Sequence, residues 1–104
     1  MTTFDDRERA FESKFAHDAE LQFRVGARRN RLLGQWAAGL LGKTGAEAEA
    51  YAVEVVKSDL AEAGDEDVLR KVAADLEGKA TAAEVRARMD ALLLEAKHQI
   101  ANEV

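Results

Sequence analysis

The sequence predicts an all-α protein: a small four-helix bundle preceded by a flexible or partly helical N-terminal segment. Three observations carry this reading. The 104 residues contain no proline, and 21 are alanine against 9 valine plus isoleucine, a balance that favours helices over strands. Apolar residues recur at steps of three and four rather than two. Glycines and Thr-x-x-Glu pairs fall between these periodic stretches, where helices stop and start. A chain this short builds one core, so the expected organisation is an N-terminal segment at 1–18 and a bundle at 19–104.

The opening segment is the sparsest. All four phenylalanines, Phe4, Phe11, Phe15 and Phe23, fall within the first 23 residues. Phe4, Phe11 and Phe15 stand seven and four apart, on one side of a helix, with few other apolar neighbours. So thin a stripe is marginal as an isolated helix. Two readings stay open on the residues alone: the stripe packs on the bundle, or it fits the groove of a partner.

The next stripe is the densest: Val25, Leu32, Leu33, Trp36, Ala37, Leu40 and Leu41, ended by Gly42. It predicts the central helix, with Trp36 as its core anchor and a cost of about 3–5 kcal/mol for Trp36→Ala. Thr44 and Glu47 form a capping box that opens a helix near 45–62, whose apolar face is Ala48, Tyr51, Ala52, Val55, Val56 and Leu60. Gly64 stops it and Asp65 caps a helix near 66–77, carrying Val68, Leu69, Val72, Ala73 and Leu76, with Gly78 as its stop. A second box, Thr81 and Glu84, opens a helix near 82–102 with Val85, Met89, Leu92, Leu93, Ala96 and Ile100. Short links between these elements predict antiparallel neighbours.

Charge is unevenly spread over a chain whose net charge is −5. Residues 1–20 mix six acids with three bases, residues 21–46 carry five bases and no acid, and the remainder carries 14 acids and seven bases. The basic stretch, Arg24, Arg28, Arg29, Arg31 and Lys43, suits phosphate, RNA or an acidic protein face, or pairs with the acidic remainder of the same molecule. The absence of cysteine removes disulfides and thiolate chemistry. No apolar run approaches 18 residues, and the charged opening does not resemble a signal peptide, so a soluble intracellular protein without membrane insertion is expected.

Short motifs offer little chemistry. Gly42-Lys43-Thr44 copies the end of a phosphate-binding loop, but Ala37 occupies the position of the required first glycine and a helix replaces the required strand, which makes it a helix cap. Only weak nucleotide contact by the neighbouring arginines stays open, and no cofactor or metal is expected. His17 and His98 stand alone, without ligand spacing. Asp65, Glu66 and Asp67 suit a helix start, where acids complement the dipole, and exposed pairs such as Glu47 and Glu49 give no reason for a raised pKa. No enzyme is expected.

Longer blocks are more specific. Thr3-Phe4-Asp5-Asp6-Arg7-Glu8-Arg9-Ala10-Phe11-Glu12, Lys14-Phe15-Ala16-His17-Asp18, Ala27-Arg28-Arg29-Asn30-Arg31-Leu32-Leu33-Gly34, Trp36-Ala37-Ala38-Gly39-Leu40-Leu41-Gly42 and Gly64-Asp65-Glu66-Asp67-Val68 together resemble the zeta subunit of alphaproteobacterial F-type ATP synthases, while residues beyond 79 add little. The resemblance implies a four-helix inhibitor of ATP hydrolysis, monomeric when free. Its implied partners are the α, β and rotor subunits of the catalytic sector, reached in the cytoplasm at the inner face of the plasma membrane. It also implies that the opening block enters a catalytic interface beside the rotor, as the mitochondrial ATPase inhibitor protein does, with Phe4, Asp5, Asp6, Arg7, Arg9, Phe11, Lys14 and Phe15 as the inhibitory contacts. Arg24, Arg28, Arg29 and Arg31 are then a secondary basic contact. The alternative reading is a helical adaptor, or a phosphate- or RNA-binding module, using that basic patch.

Overall fold

The computed structural model describes residues 18–61 and 65–103, and within them the chain is helical with short links. Helix α1 spans Ala19–Leu40, α2 Gly45–Ala61, α3 Asp65–Asp75 and α4 Ala82–Glu103. The expected ends hold to within two residues, α3 stopping at Asp75 rather than 77, the scatter usual for fraying termini. The N-terminal residues 1–17, with the phenylalanines Phe4, Phe11 and Phe15, lie outside the described residues, as does Gly64.

The punctuation has mixed outcomes. Asp18 has extended dihedrals (φ −119°, ψ 102°) and its carboxylate accepts from the amides of Glu20 and Leu21, so it caps α1. At the other end Gly42, at φ 75°, closes α1 with two bonds: the Lys43 amide donates to the Ala38 carbonyl and the Gly42 amide to that of Gly39. This pair is the Schellman arrangement, and it requires the left-handed glycine. The Thr81 box forms in both directions at 3.1 Å, Glu84 N–H donating to Thr81 Oγ1 and Thr81 N–H to Glu84 Oε1. At Thr44 the bond that forms is between backbones, Glu47 N–H to the Thr44 carbonyl, and Gly45 turns at φ 56°. Asp65, expected as a cap, is instead the first residue of α3.

The core is built as the periodicity required. Leu33, Ala37, Ala38, Tyr51, Val55, Val68, Val72, Leu76, Val85, Met89 and Leu92 form one buried cluster drawn from all four helices. A second, Leu21, Val25, Ala96 and Ile100, joins the first half of α1 to the second half of α4. Helix α1 touches all three others, which makes it central. Antiparallel order shows in the side chains: Arg24 and Arg28 in the first half of α1 meet Glu103 at the end of α4, whereas Trp36 in the last turns of α1 meets Arg88 in the first half of α4.

Three details of the α1 stripe differ from expectation. Trp36 is only partly buried and packs against the margin of the core, with the Arg88 guanidinium 5.2 Å from its ring centre. Leu40, one turn on, is exposed. Leu32, Trp36 and Leu40 share one phase that rotates outward, while Leu33 and Ala37 share the phase that faces in. Half-buried, Trp36 gives up less on truncation than a core residue, and Trp36→Ala is expected to cost about 1–2 kcal/mol rather than 3–5. Thermal melting of the single variant checks this.

The third detail is polar. Arg29 and Asn30 are buried, at 4% and 0% exposure. The Arg29 Nε donates to Asn30 Oδ1 at 2.7 Å, and its Nη2 reaches across to Asp65 Oδ1 at 2.8 Å, tying the middle of α1 to the start of α3. Asn30 Nδ2 has no hydrogen-bond partner among the described residues. The Arg29 bond holds the Asp65 carboxyl below its ordinary range, against the opposing effect of desolvation. A lowered folded-state pKa stabilises the protein above the ordinary Asp value and loses that contribution as pH falls through the folded one. Asp65→Asn is therefore expected to cost about 1–2 kcal/mol at neutral pH, because a buried guanidinium loses its charged partner. The gap from the parent should close on acidification below about pH 4. Denaturant titrations at pH 7 and pH 3 measure both.

A smaller network fastens α2 to α3. The Tyr51 hydroxyl donates to Asp75 Oδ2 at 2.8 Å, and Lys71 pairs with the same carboxylate at 3.1 Å while its ammonium lies 5.4 Å from the Tyr51 ring centre. Burial first, and then the Asp75 carboxylate, push the Tyr51 phenol well above its ordinary pKa. It stays a neutral donor throughout the physiological range.

Candidate partner-binding surface

The arginines of α1 divide by helical phase. Arg29 stands four residues after Val25 and four before Leu33, in step with the buried stripe, and is drawn inside. Arg24, Arg28 and Arg31 stand on the outer face. Arg28 donates to Glu103 at 2.8 Å and to Gln99 at 2.8 Å, and Arg24 lies 3.7 Å from Glu103. Arg31 pairs with Glu49 of α2 at 2.6 Å. All four cations thus meet acids of the same molecule, chiefly as exposed pairs, which are individually weak and yield readily to a competing anion.

Between these arginines lies a groove of about 320 Å³ lined by Phe23, Arg24, Ala27, Arg28, Arg31, Val56 and Ile100. Phe23 is 61% exposed at its edge, the most exposed large apolar side chain among the described residues. A second groove, also about 320 Å³, is lined by Trp36, Glu84, Ala87, Arg88 and Ala91 on the α1 and α4 surface. The sequence marked the arginines and Phe23 separately. Their union needed the register of α2 and α4 against α1.

The other sequence motifs are structural where they are seen. Lys43 is the residue after the glycine stop of α1, and its amide closes the helix. Glu66 pairs with Arg86 of α4, and Asp67 with Arg70. His98 is exposed on α4. Phe4, Asp5, Asp6, Arg7, Arg9, Phe11, Lys14, Phe15 and His17 lie outside the described residues. Among the described residues, no group of three His, Cys, Asp or Glu side chains is placed to hold a metal ion, and no helix is long and apolar enough to cross a membrane.

The fold and this surface define a small antiparallel four-helix protein whose charged side chains fasten helices together and rim a groove. The family model of the ATPase inhibitor subunit zeta matches residues 1–99, and the chain belongs to that family. A solved solution NMR structure is 56% identical to it, covers 81% of this chain and 99% of its own, and superposes with a TM-score of 0.74. No curated protein matches the chain. Family membership makes the protein a regulatory inhibitor subunit, in agreement with the resemblance of the opening and arginine-rich blocks.

Proposed function

We propose that this protein inhibits ATP hydrolysis by the F-type ATP synthase by inserting its N-terminal segment at a catalytic interface near the rotor. The observation that supports this most is the family match, which begins at residue 1 and so includes the opening block. The contacts are Phe4, Phe11 and Phe15 as apolar anchors, with Asp5, Asp6, Arg7, Arg9 and Lys14 setting register. Inhibition is steric. A helix wedged between catalytic subunits and rotor stops the opening and closing on which hydrolysis depends, without altering a reacting group.

The bundle is the handle of this device. Its helix α1 begins at Ala19 behind the Asp18 cap, so the helical body starts where the proposed inhibitory segment ends. Arg24, Arg28 and Arg31 of α1 are then a secondary contact, reached by exchanging their intramolecular pairs for acids of the partner, while the buried Arg29 serves the fold. The protein works in the cytoplasm, peripheral to the membrane through its partner, binds as a monomer and needs no cofactor. A hydrolysis titration of the purified ATP synthase, comparing the intact chain with residues 18–104, tests this reading.

A further inference from the structure

The groove beside Phe23 differs in chemistry from the molecule that carries it. The chain has a net charge of −5, yet the residues lining this groove are three arginines and four apolar side chains, with no acid among them. Ala27, Val56 and the buried Ile100 make its floor, the exposed Phe23 stands at one end, and Arg24, Arg28 and Arg31 make its rim. An aromatic ring and arginines around a desolvated floor are the composition of an interface centre rather than of a solvated face.

The present contacts of the rim show what it recognises. Arg28 Nη2 donates to both oxygens of Glu103, at 2.8 and 3.1 Å, Arg24 lies 3.7 Å from the same carboxylate, and Arg31 meets Glu49 at 2.6 Å. Two of the chain's own carboxylates thus occupy the rim, in exposed pairs that exchange readily. Spacing selects the form of a competing ligand. Along α1 the three arginines stand about 6 Å and then about 4.5 Å apart. Carboxylates at positions i, i+4 and i+7 of another helix have those intervals. Same-face residues of a strand recur every 6.5–7 Å or so and fall out of step by Arg31.

We propose that this groove receives an acidic amphipathic helix of the ATP synthase catalytic sector, with its apolar ridge on Phe23, Ala27 and Val56 and its carboxylates on Arg24, Arg28 and Arg31. Glu103 and Glu49 are placeholders that hold the arginines until that helix arrives. An occupant must outcompete them, so it needs an apolar anchor as well as charge, which separates it from a generic polyanion. The chemistry of the groove stands on its own geometry, whereas the identity of the partner rests on the function proposed above.

Two measurements test these parts separately. The first uses the full chain alone, isotope-labelled for NMR, with two synthetic helical peptides: one carries Glu at i, i+4 and i+7 beside a leucine ridge, the other Gln in place of each Glu. The Glu peptide is expected to shift the amide resonances of Phe23, Arg24, Ala27, Arg31 and Val56. Phe23→Ser is expected to weaken its binding about 10-fold. Glu103→Gln is expected to tighten it about 2- to 5-fold, the factor by which one exposed ion pair competes. Circular dichroism confirms that both variants fold. Equal binding of the Gln peptide, equal shifts with RNA, or a Glu103→Gln chain that binds no tighter overturns the proposal. So do shifts of the same residues with protein concentration alone, which would assign the groove to a second copy. The second measurement photolyses a full chain carrying Phe23→p-benzoylphenylalanine on the purified ATP synthase. It is expected to cross-link to a segment with acids three or four residues apart. Inhibition without a cross-link, or a cross-link to a segment without acids, overturns the partner assigned here. Loss of both inhibition and cross-link overturns the proposed function as well, and the peptide titration still decides the chemistry of the groove.

Discussion

Removal of residues 1–17 is expected to abolish inhibition of ATP hydrolysis while leaving the body folded. The cap at Asp18, the glycine stop at Gly42, the box at Thr81 and every side chain of the two buried clusters lie within 18–103. Circular dichroism and a cooperative melt of the truncated chain should match those of the intact one. The loss of inhibition should exceed about 100-fold in the half-inhibiting concentration, since two buried aromatic anchors at about 1.4–2 kcal/mol each already account for that factor. Point variants should rank in the same way. Phe11→Ala and Phe15→Ala are each expected to weaken inhibition by about 10- to 30-fold, and Lys14→Ala by only about 2- to 3-fold, because rim charges mainly adjust the rate of association. A truncated chain that inhibits like the intact one would move the inhibitory surface onto the bundle, where α1 with Arg24, Arg28 and Arg31 is the next place to look.

How far the sequence could be read depended on whether a residue's place is set by its own helix or by its neighbours. Leu33, Ala37, Val55, Val68, Val72, Val85, Met89, Ala96 and Ile100 follow from spacing alone, since an amphipathic helix buries whatever lies on its apolar phase. Gly42 and Thr81 follow from local geometry for the same reason. Arg29 and Asn30 were legible only in part. Their phase relative to Val25 and Leu33 says buried while their chemistry says exposed; for Arg29 the conflict is resolved by Asp65 on another helix, and Asn30 is left satisfied only at Oδ1, by Arg29. Trp36 failed in the opposite direction: its size suggested the core, but its phase follows Leu32 and Leu40 to the margin.

The groove at Phe23 lay further from view. It exists because α2 brings Val56 and α4 brings Ile100 alongside α1, and that register is a property of three helices rather than of one. The opening block was legible only by resemblance. Its spacing admits both a packed stripe and a partner-binding one, and residues 1–17 lie outside the described residues.

Gly34→Ala is expected to destabilise the protein by forcing α1 and α2 apart where they cross. Gly34 lies inside α1, where glycine costs about 1 kcal/mol relative to alanine, so some other gain must retain it. That gain is a close crossing. A β-carbon at position 34 would lie 2.6 Å from the Ala52 α-carbon of α2 and 3.2–3.3 Å from the side chains of Ala52 and Val55. The nearest obstacle is backbone, so no rotamer change relieves it, and the two most extensively packed helices must part along the core that holds Leu33, Ala37 and Val55. Overpacking of this kind outweighs the improved helix propensity and should leave a net loss of about 1–3 kcal/mol. In a domain of this size that lowers the melting temperature by roughly 5–20 °C. The internal control is Gly26, on the same helix, where an added β-carbon meets nothing within 4 Å. Gly26→Ala should recover the propensity without a clash and stabilise by about 0.5–1 kcal/mol. Substitutions of one chemistry, eight residues apart, should therefore shift the melt in opposite directions. If Gly34→Ala instead melts above the parent, α1 and α2 do not cross at Ala52 as closely as described, and the packing of the core around Leu33 has to be redrawn.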